Sequence, residues 1–216
     1  MYLDLLGETP RLMPMLQGIN LFFRAATFSG PHVSNDLMTD DKALVSRVLD
    51  GDMTAFRGLI KKHERLVSHM VGRLVKQEED REELCQDVFM KVYEKLGEFA
   101  FQSQLSTWIA TIAYRHAINH LRKKKIVITD FPEEIAIPEE NIAEDQDIEN
   151  YLQKLIELLP PQYKIVLTLY HMEQKNYAEI GEITGMPEGT VKNYLFRARQ
   201  LLKDKAKKYL GNEELT

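Results

Sequence analysis

The chain has 216 residues, 44% of them apolar and 28% charged, with a formal net charge of −5 and a pI near 5.7. That length accommodates one or two domains with a real core, while the acidic balance excludes a protein that coats nucleic acid indiscriminately. Cys85 is the only cysteine, which excludes an intrachain disulfide and a cysteine-based zinc site and fits a reducing cytosol.

Met1 to Leu37 carries no helical or strand period. Leu12 to Phe23 is apolar but too short to span a membrane and is interrupted by Pro14 and Gly18, and Asp4 and Glu8 stand where a signal peptide would be positive. Residues 1–38 therefore read as a flexible leader, with a partner-binding amphipathic segment around Leu12 to Arg24 as the alternative. Met38, directly before Thr39-Asp40-Asp41, is a second candidate start. Thr39 can cap a helix holding Leu44, Val45, Val48 and Leu49, which ends at the turn Asp50-Gly51-Asp52. The next helix carries Phe56, Leu59, Ile60, Leu66, Val67, Met70, Val71 and Leu74 at helical spacing, with lysine and arginine on its other face. Asp80 and Glu83 resemble a capping box opening a third helix, whose Leu84, Val88, Val92 and Leu96 form one stripe while Asp87 and Lys91 lie on a more exposed flank. A fourth helix, from Ser106 to about Lys124, buries Trp108, Ile109, Ile112, Ala113 and Ile118 and shows Arg115, His116, Asn119 and Arg122.

Charge then separates into two opposite fields. Phe99 to Lys125 contains no acidic residue, whereas Ile126 to Asn150 contains nine acidic residues and no basic one. With Pro132, Pro138 and no periodicity, residues 126–147 read as an interdomain linker. Ile148 to Leu159 is helical in pattern, and Pro160-Pro161 restarts a helix with Ile165, Val166, Leu169 and Tyr170.

Tyr177 to Lys203 has the pattern of a helix-turn-helix. Ile180 and Ile183 share one face of its first helix, and Val191 and Leu195 one face of its second. Gly185 supplies the left-handed turn, Pro187 is preorganised for a first helical turn, and small Gly181 sits where the helices would cross. Such a motif places its second helix in the DNA major groove, and Lys192, Asn193, Phe196, Arg197 and Arg199 point outward from it as phosphate clamps and base-edge readers. A solvated helical hairpin with ordinary surface lysines is the plainer reading of that stretch alone. The expected fold is all-α, with helical domains at 39–125 and 148–210, an acidic linker between them and a tail at 211–216.

The order of these features resembles the extracytoplasmic-function group of bacterial RNA polymerase sigma factors over about Thr39 to Lys208. The resemblance is carried by GDMTAF from Gly51, DREELCQDVFMKVYEKLGEF from Asp80, STWIATIA from Ser106, LPPQYKIVLTLY from Leu159 and EGTVKNYLFRARQLLK from Glu188. It implies that the C-terminal domain reads the −35 promoter element and that the flank bearing Gln86, Asp87, Phe89, Met90 and Lys91 docks on the polymerase clamp, although Phe89 could equally face the core. It further implies that the loop Phe99 to Leu105 and the following helix open the −10 element and hold an extruded base. Phe101, Gln102, Ser103, Arg115, His116, Asn119 and Arg122 supply the planar, amide and basic groups such a surface needs, and Trp108 is core or a wedge beside the duplex. His116 and His120 are four apart, a metal-ligand spacing with no third ligand converging in sequence, so no metal or other cofactor is expected.

Two departures matter. Arg115 stands where many relatives have asparagine, and Ala100-Phe101 where they have a basic-glycine pair, so the preferred −10 sequence does not transfer. The resemblance implies a cytoplasmic, non-enzymatic factor, not itself membrane-spanning, whose partners are core RNA polymerase, promoter DNA and an anti-sigma factor, with no small-molecule substrate. A stand-alone helix-turn-helix regulator that binds operators without polymerase is the alternative. A helical enzyme finds little support, because no carboxylate pair, nucleophile-base set or phosphate loop stands out.

Overall fold

A computed structural model describes residues 41–124 and 154–213, with side chains described as far as Leu202. The leader, the Thr39 cap and the acidic linker lie outside the described residues, as does the first part of the helix expected from Ile148, of which residues 154–158 are helical. Among the described residues there is no strand and no helix long and apolar enough to cross a membrane.

Helix α1 (Asp41–Leu49) buries Leu44, Val45 and Val48, while Leu49, expected beside them, is 55% exposed. Gly51, at φ +88°, reverses the chain, and the Asp52 carboxylate accepts hydrogen bonds from the backbone N–H groups of Thr54 and Ala55 to cap α2 (Met53–Leu74). Arg47 at the end of α1 holds the same carboxylate at 2.6 Å, so one aspartate ties the end of one helix to the start of the next. A cap of this kind stabilises a helix by about 1 kcal/mol.

Helix α3 (Glu78–Lys95) begins two residues before the expected box, and its N-cap, Gln77, makes no side-chain capping bond. Asp80 instead accepts from Lys124 and lies 3.6 Å from His120, pinning the start of α3 to the end of α4 (Leu105–Lys123). Leu84, Val88, Val92 and Leu96 are buried as a stripe. A 3-10 turn, Leu96–Glu98, leads into the loop before α4.

In the second group, the helical residues 154–158 are followed by α5 (Pro161–Leu167), which starts on Pro161 and continues through a wider π-helical turn at Thr168–Met172. Helix α6 (Tyr177–Thr184) starts on a reciprocal box in which Asn176 and Glu179 satisfy each other's backbone N–H groups. Gly185 ends it at φ +76°, a conformation that glycine adopts without steric cost. Gly181 is small for a reason narrower than helix crossing: a Cβ there would meet the carbonyl oxygen of Met186, in the turn itself, at 2.9 Å. Helix α7 (Glu188–Glu213) buries Val191, Tyr194, Leu195 and Ala198, and its backbone runs on through positions 211–213, where a tail was expected.

The two groups dock. Helix α4 packs against α6 and α2 against α5, and the buried apolar residues form one continuous cluster.

Candidate nucleic-acid interfaces

The outward face of α7 is built by exclusion. With Val191, Tyr194, Leu195 and Ala198 turned inward and Tyr194 stacked on Tyr163 at 4.6 Å, helical geometry leaves Lys192, Asn193, Phe196, Arg197 and Arg199 exposed. Phe196 is 66% exposed, a large apolar group with no place in the fold, of the kind that contacts a thymine methyl in a major groove.

The basic residues on this helix are not equivalent. Lys192 is ion-paired with Glu188 at 2.7 Å, which raises its pKa, and its ammonium sits 5.3 Å from the centre of the Tyr177 ring. Arg199 lies on the flank, its guanidinium 4.8 Å from the Tyr170 ring and donating to Nε2 of His171 at 3.1 Å. Tyr170 and Tyr177 stack at 5.4 Å, so the two cations and two phenols make a continuous band along one side of the recognition helix. Burial, and then the Arg199 charge, push the His171 pKa down, which keeps its ring an acceptor for the arginine.

On α4, Arg115, Asn119 and Arg122 are exposed at spacings of four and three, hence on one face. Trp108, one further repeat back, is half-buried rather than core, with its ring 5.3 Å from that of Phe99. His116 is half-buried and its pKa is lowered, chiefly by burial. It turns toward Asp87, Lys91 and Glu94 of α3, whereas His120 turns toward Asp80. His116 is thus set back from the row formed by the two arginines and Asn119.

The loop before α4 holds Phe101, Gln102 and Ser103. Gln102 is exposed and Ser103 half-buried. Phe101 has φ +55°, a left-handed conformation that costs a non-glycine residue roughly 1–2 kcal/mol. It is 43% exposed, with its ring 4.6 Å from Phe99.

On α3, Asp87 is exposed and Gln86, Met90 and Lys91 are half-buried, with Lys91 paired to Glu94 at 2.7 Å rather than to Asp87. Phe89 is fully buried. Its assignment to a docking flank is therefore corrected: the same spacing that places Val88 and Val92 inward takes Phe89 into the core beside them.

Sequence reasoning missed the contacts where the two groups meet. Lys175, buried at 5% exposure, donates from Nζ to Gln104 Oε1 (3.0 Å), Ser106 Oγ (2.7 Å), Thr107 Oγ1 (3.0 Å) and Glu179 Oε1 (3.1 Å). Thr107 also donates to Glu179 at 2.9 Å. Burial alone would raise the Glu179 pKa, but hydrogen bonds from Asn176, Lys175 and Thr107 outweigh it and hold the carboxyl below its ordinary range. Around this centre, His69 meets Glu173 at 2.6 Å and Arg73 meets Glu157. The Asn176-x-x-Glu179 box was readable in sequence. No local signal marks Lys175, since a lysine one position before a helix cap is ordinarily solvated.

Comparison with known proteins gives the family regions along the chain. Residues 59–126 match the family Sigma-70 region 2 and residues 149–202 match Sigma-70, region 4. The chain is 32% identical over 181 residues to the RNA polymerase sigma-H factor of Pseudomonas aeruginosa, covering 77% of this chain and 93% of that protein. It is 31% identical over 180 residues to the ECF RNA polymerase sigma-E factor of Escherichia coli K12, covering 76% and 93%. Its fold is similar to that of CnrH solved with the cytosolic domain of CnrY (TM-score 0.53, 17% identity, 76% of this chain and 95% of that one). It is also similar to the sigma factor RpoE of Bartonella quintana solved with the anti-sigma factor NepR (TM-score 0.52, 24% identity, 69% and 94%).

Proposed function

The chain belongs to the extracytoplasmic-function group of RNA polymerase sigma factors, and from that premise we propose that it binds core RNA polymerase, directs it to promoters through −35 and −10 elements, nucleates melting at −10 and then dissociates. The observation that carries this reading is the pairing of two unlike surfaces in one chain. Helix α7 offers apolar, amide and basic groups suited to base edges in a duplex, while α4 and its preceding loop offer arginines, amides, the exposed Phe101 and the half-buried Trp108, groups suited to an opened strand. An operator-binding regulator has use for the first surface only.

The division into domains at 39–125 and 148–210 follows from this reading, with the acidic stretch as the tether between them. Gln86, Asp87, Met90 and Lys91 form the polymerase-docking flank. Phe101, Gln102, Ser103, Trp108, Arg115, Asn119 and Arg122, with His116 set behind them, form the −10 surface, and Lys192, Asn193, Phe196, Arg197 and Arg199 the −35 surface. The protein catalyses nothing itself and acts in the cytoplasm by positioning. CnrH and Bartonella RpoE were each solved with a protein partner, the latter with an anti-sigma factor, and a partner of that type would hold this chain inactive.

The test is reconstitution. Purified chain mixed with core polymerase should give promoter-specific transcription and permanganate-reactive thymines at −10, neither of which core alone provides. Nanomolar specific DNA binding by the chain without core, together with no stimulation of core, would overturn the reading in favour of an operator-binding regulator.

A further inference from the structure

Helix α2 has a face that neither promoter-reading surface uses. Its apolar side packs on α3 and α4, and Arg57, Lys61 and Arg65 stand exposed on the opposite side. Four-residue spacing puts them in one row, in steps of about 6 Å along the helix axis. Thr54, Gly58 and Ser68, also exposed on this face, are small. At its far end Arg81 of α3 lies across Gly72, its Cδ 3.9 Å from where a β-carbon would stand, and the acidic first turn of α3 closes the row.

The row is not neutralised. Like charges four apart on a helix repel, and elsewhere the chain answers its exposed cations: Lys62 pairs with Asp41 at 2.6 Å, Lys91 with Glu94 at 2.7 Å and Lys192 with Glu188 at 2.7 Å. Arg57, Lys61 and Arg65 make no ion pair among the described residues, and Glu64, the only acidic residue of α2, is half-buried. A chain of net charge −5 thus keeps a concentrated positive strip on its surface.

What the row lacks identifies its partner. Protein interfaces centre on buried apolar or aromatic anchors, and none of the exposed large apolar side chains, Leu49, Phe101, Leu158, Met172 and Phe196, belongs to α2. The backbone of duplex DNA needs no such anchor. It is held by cations alone and offers a phosphate about every 3.4 Å on each strand, so every step of the row falls within reach of one. The small residues between the cations let that backbone come close.

We propose that Arg57, Lys61 and Arg65 hold the phosphates of duplex DNA without regard to sequence, a third DNA-contacting surface that retains holoenzyme on DNA while promoters are sought. Phosphate contacts carry no base information and permit sliding. The proposal rests on the reading of the chain as a promoter-directing factor and goes beyond its −10 and −35 surfaces, to which α2 contributes nothing.

The test measures holoenzyme binding to a duplex without promoter elements across a salt series. Arg57→Gln, Lys61→Gln and Arg65→Gln should each lower the slope of log affinity against log salt by about 0.9, and the triple variant by about 2.7. Arg57→Lys with Arg65→Lys, which keeps the charge, should retain the wild-type slope. Assembly with core and the −10 and −35 preferences should stay as they are, and the melting temperature of the free triple variant should not fall, since mutual repulsion is removed. An unchanged slope in the triple variant would make the row an ordinary solvated face and overturn the proposal. Weakened assembly with core at an unchanged slope would overturn it in favour of a protein partner, and a lower melting temperature would overturn it in favour of a structural role. Failure of wild-type holoenzyme to prefer a promoter over that duplex would instead overturn the proposed function and leave the slope measurement standing.

Discussion

Replacing Lys175 by methionine keeps an unbranched apolar stem and removes the charge that joins the two helical groups. Three of the four acceptors of Nζ, namely Gln104, Ser106 and Thr107, belong to the first group, and the fourth, Glu179, to the second. A hydrogen bond to a charged group contributes about 1.5–3 kcal/mol, and removing one partner of a buried ion pair costs about 3–5 kcal/mol. The bonds share one donor atom, so they do not add, and methionine recovers some apolar burial. A net weakening of closure by about 2–4 kcal/mol follows, shifting the closed-to-open ratio roughly 30- to 1000-fold. Energy transfer between dyes on cysteines introduced at exposed Arg57 and Asn193 reads this directly. Native Cys85 is buried, with a thiol pKa pushed up to about 12 by that burial, and will not compete for label. Lys175→Met should lower transfer in the free chain, and Thr107→Val should do so in the same direction without altering the second group. Transfer unchanged in both would refute the assignment of this cluster as the fastening between the groups.

Three further outcomes are expected. Gly181→Ala should destabilise the helix-turn-helix by about 1–3 kcal/mol, read by chemical denaturation, because the new methyl meets a backbone oxygen that cannot rotate away; equal stability would mean that the turn relaxes freely. Burial first, and then the Lys62 charge, push the His63 pKa down to about 4, so the unfolded chain protonates this residue before the folded one does. Stability is full above about pH 6.5 and falls by up to about 3 kcal/mol as pH drops toward 4, and His63→Leu should flatten that slope by about one proton in denaturation series across the window. Arg197→Ala should cost about 1–3 kcal/mol and relax preference at a single −35 base pair in a promoter-variant transcription screen, whereas Lys192→Ala should lower affinity evenly and reduce the salt slope by about one.

What was legible in the sequence followed from period. The stripes Leu84-Val88-Val92-Leu96 and Ile180-Ile183 with Val191-Leu195 are all buried, because apolar residues at helical spacing have only one way to leave water together. Gly185 and Pro187 announced the turn for equally local reasons. The misreadings arose where a tertiary partner outcompeted a local one. Asp80 could have capped a helix, yet it serves Lys124 instead, a residue 44 positions away whose proximity no window of sequence contains. Phe89 looked assignable to either face until neighbouring helices enclosed it. Lys175 carried no sign at all, because its burial is created by the docking of two segments separated by the acidic stretch.

That docking also bears on how the two DNA surfaces are used. Elements named −10 and −35 lie about 25 base pairs apart, some 85 Å along B-form DNA at 3.4 Å per base pair. Packed helices keep their axes about 8–10 Å apart, so with α4 against α6 and α6 against α7 the two reading helices are separated by only about 20 Å. No bend of ordinary cost brings both elements to helices so close, and the closed arrangement can engage one element at a time. The residues that fasten it sit at the edge of the proposed −10 surface: Gln104 follows directly on Phe101, Gln102 and Ser103, Ser106 opens α4 two residues on, and Thr107 adjoins Trp108. On the proposed assignment of these surfaces, separation of the groups would release the loop before α4 in the same step that gives α7 its reach, coupling access to one element to access to the other through a single buried ammonium.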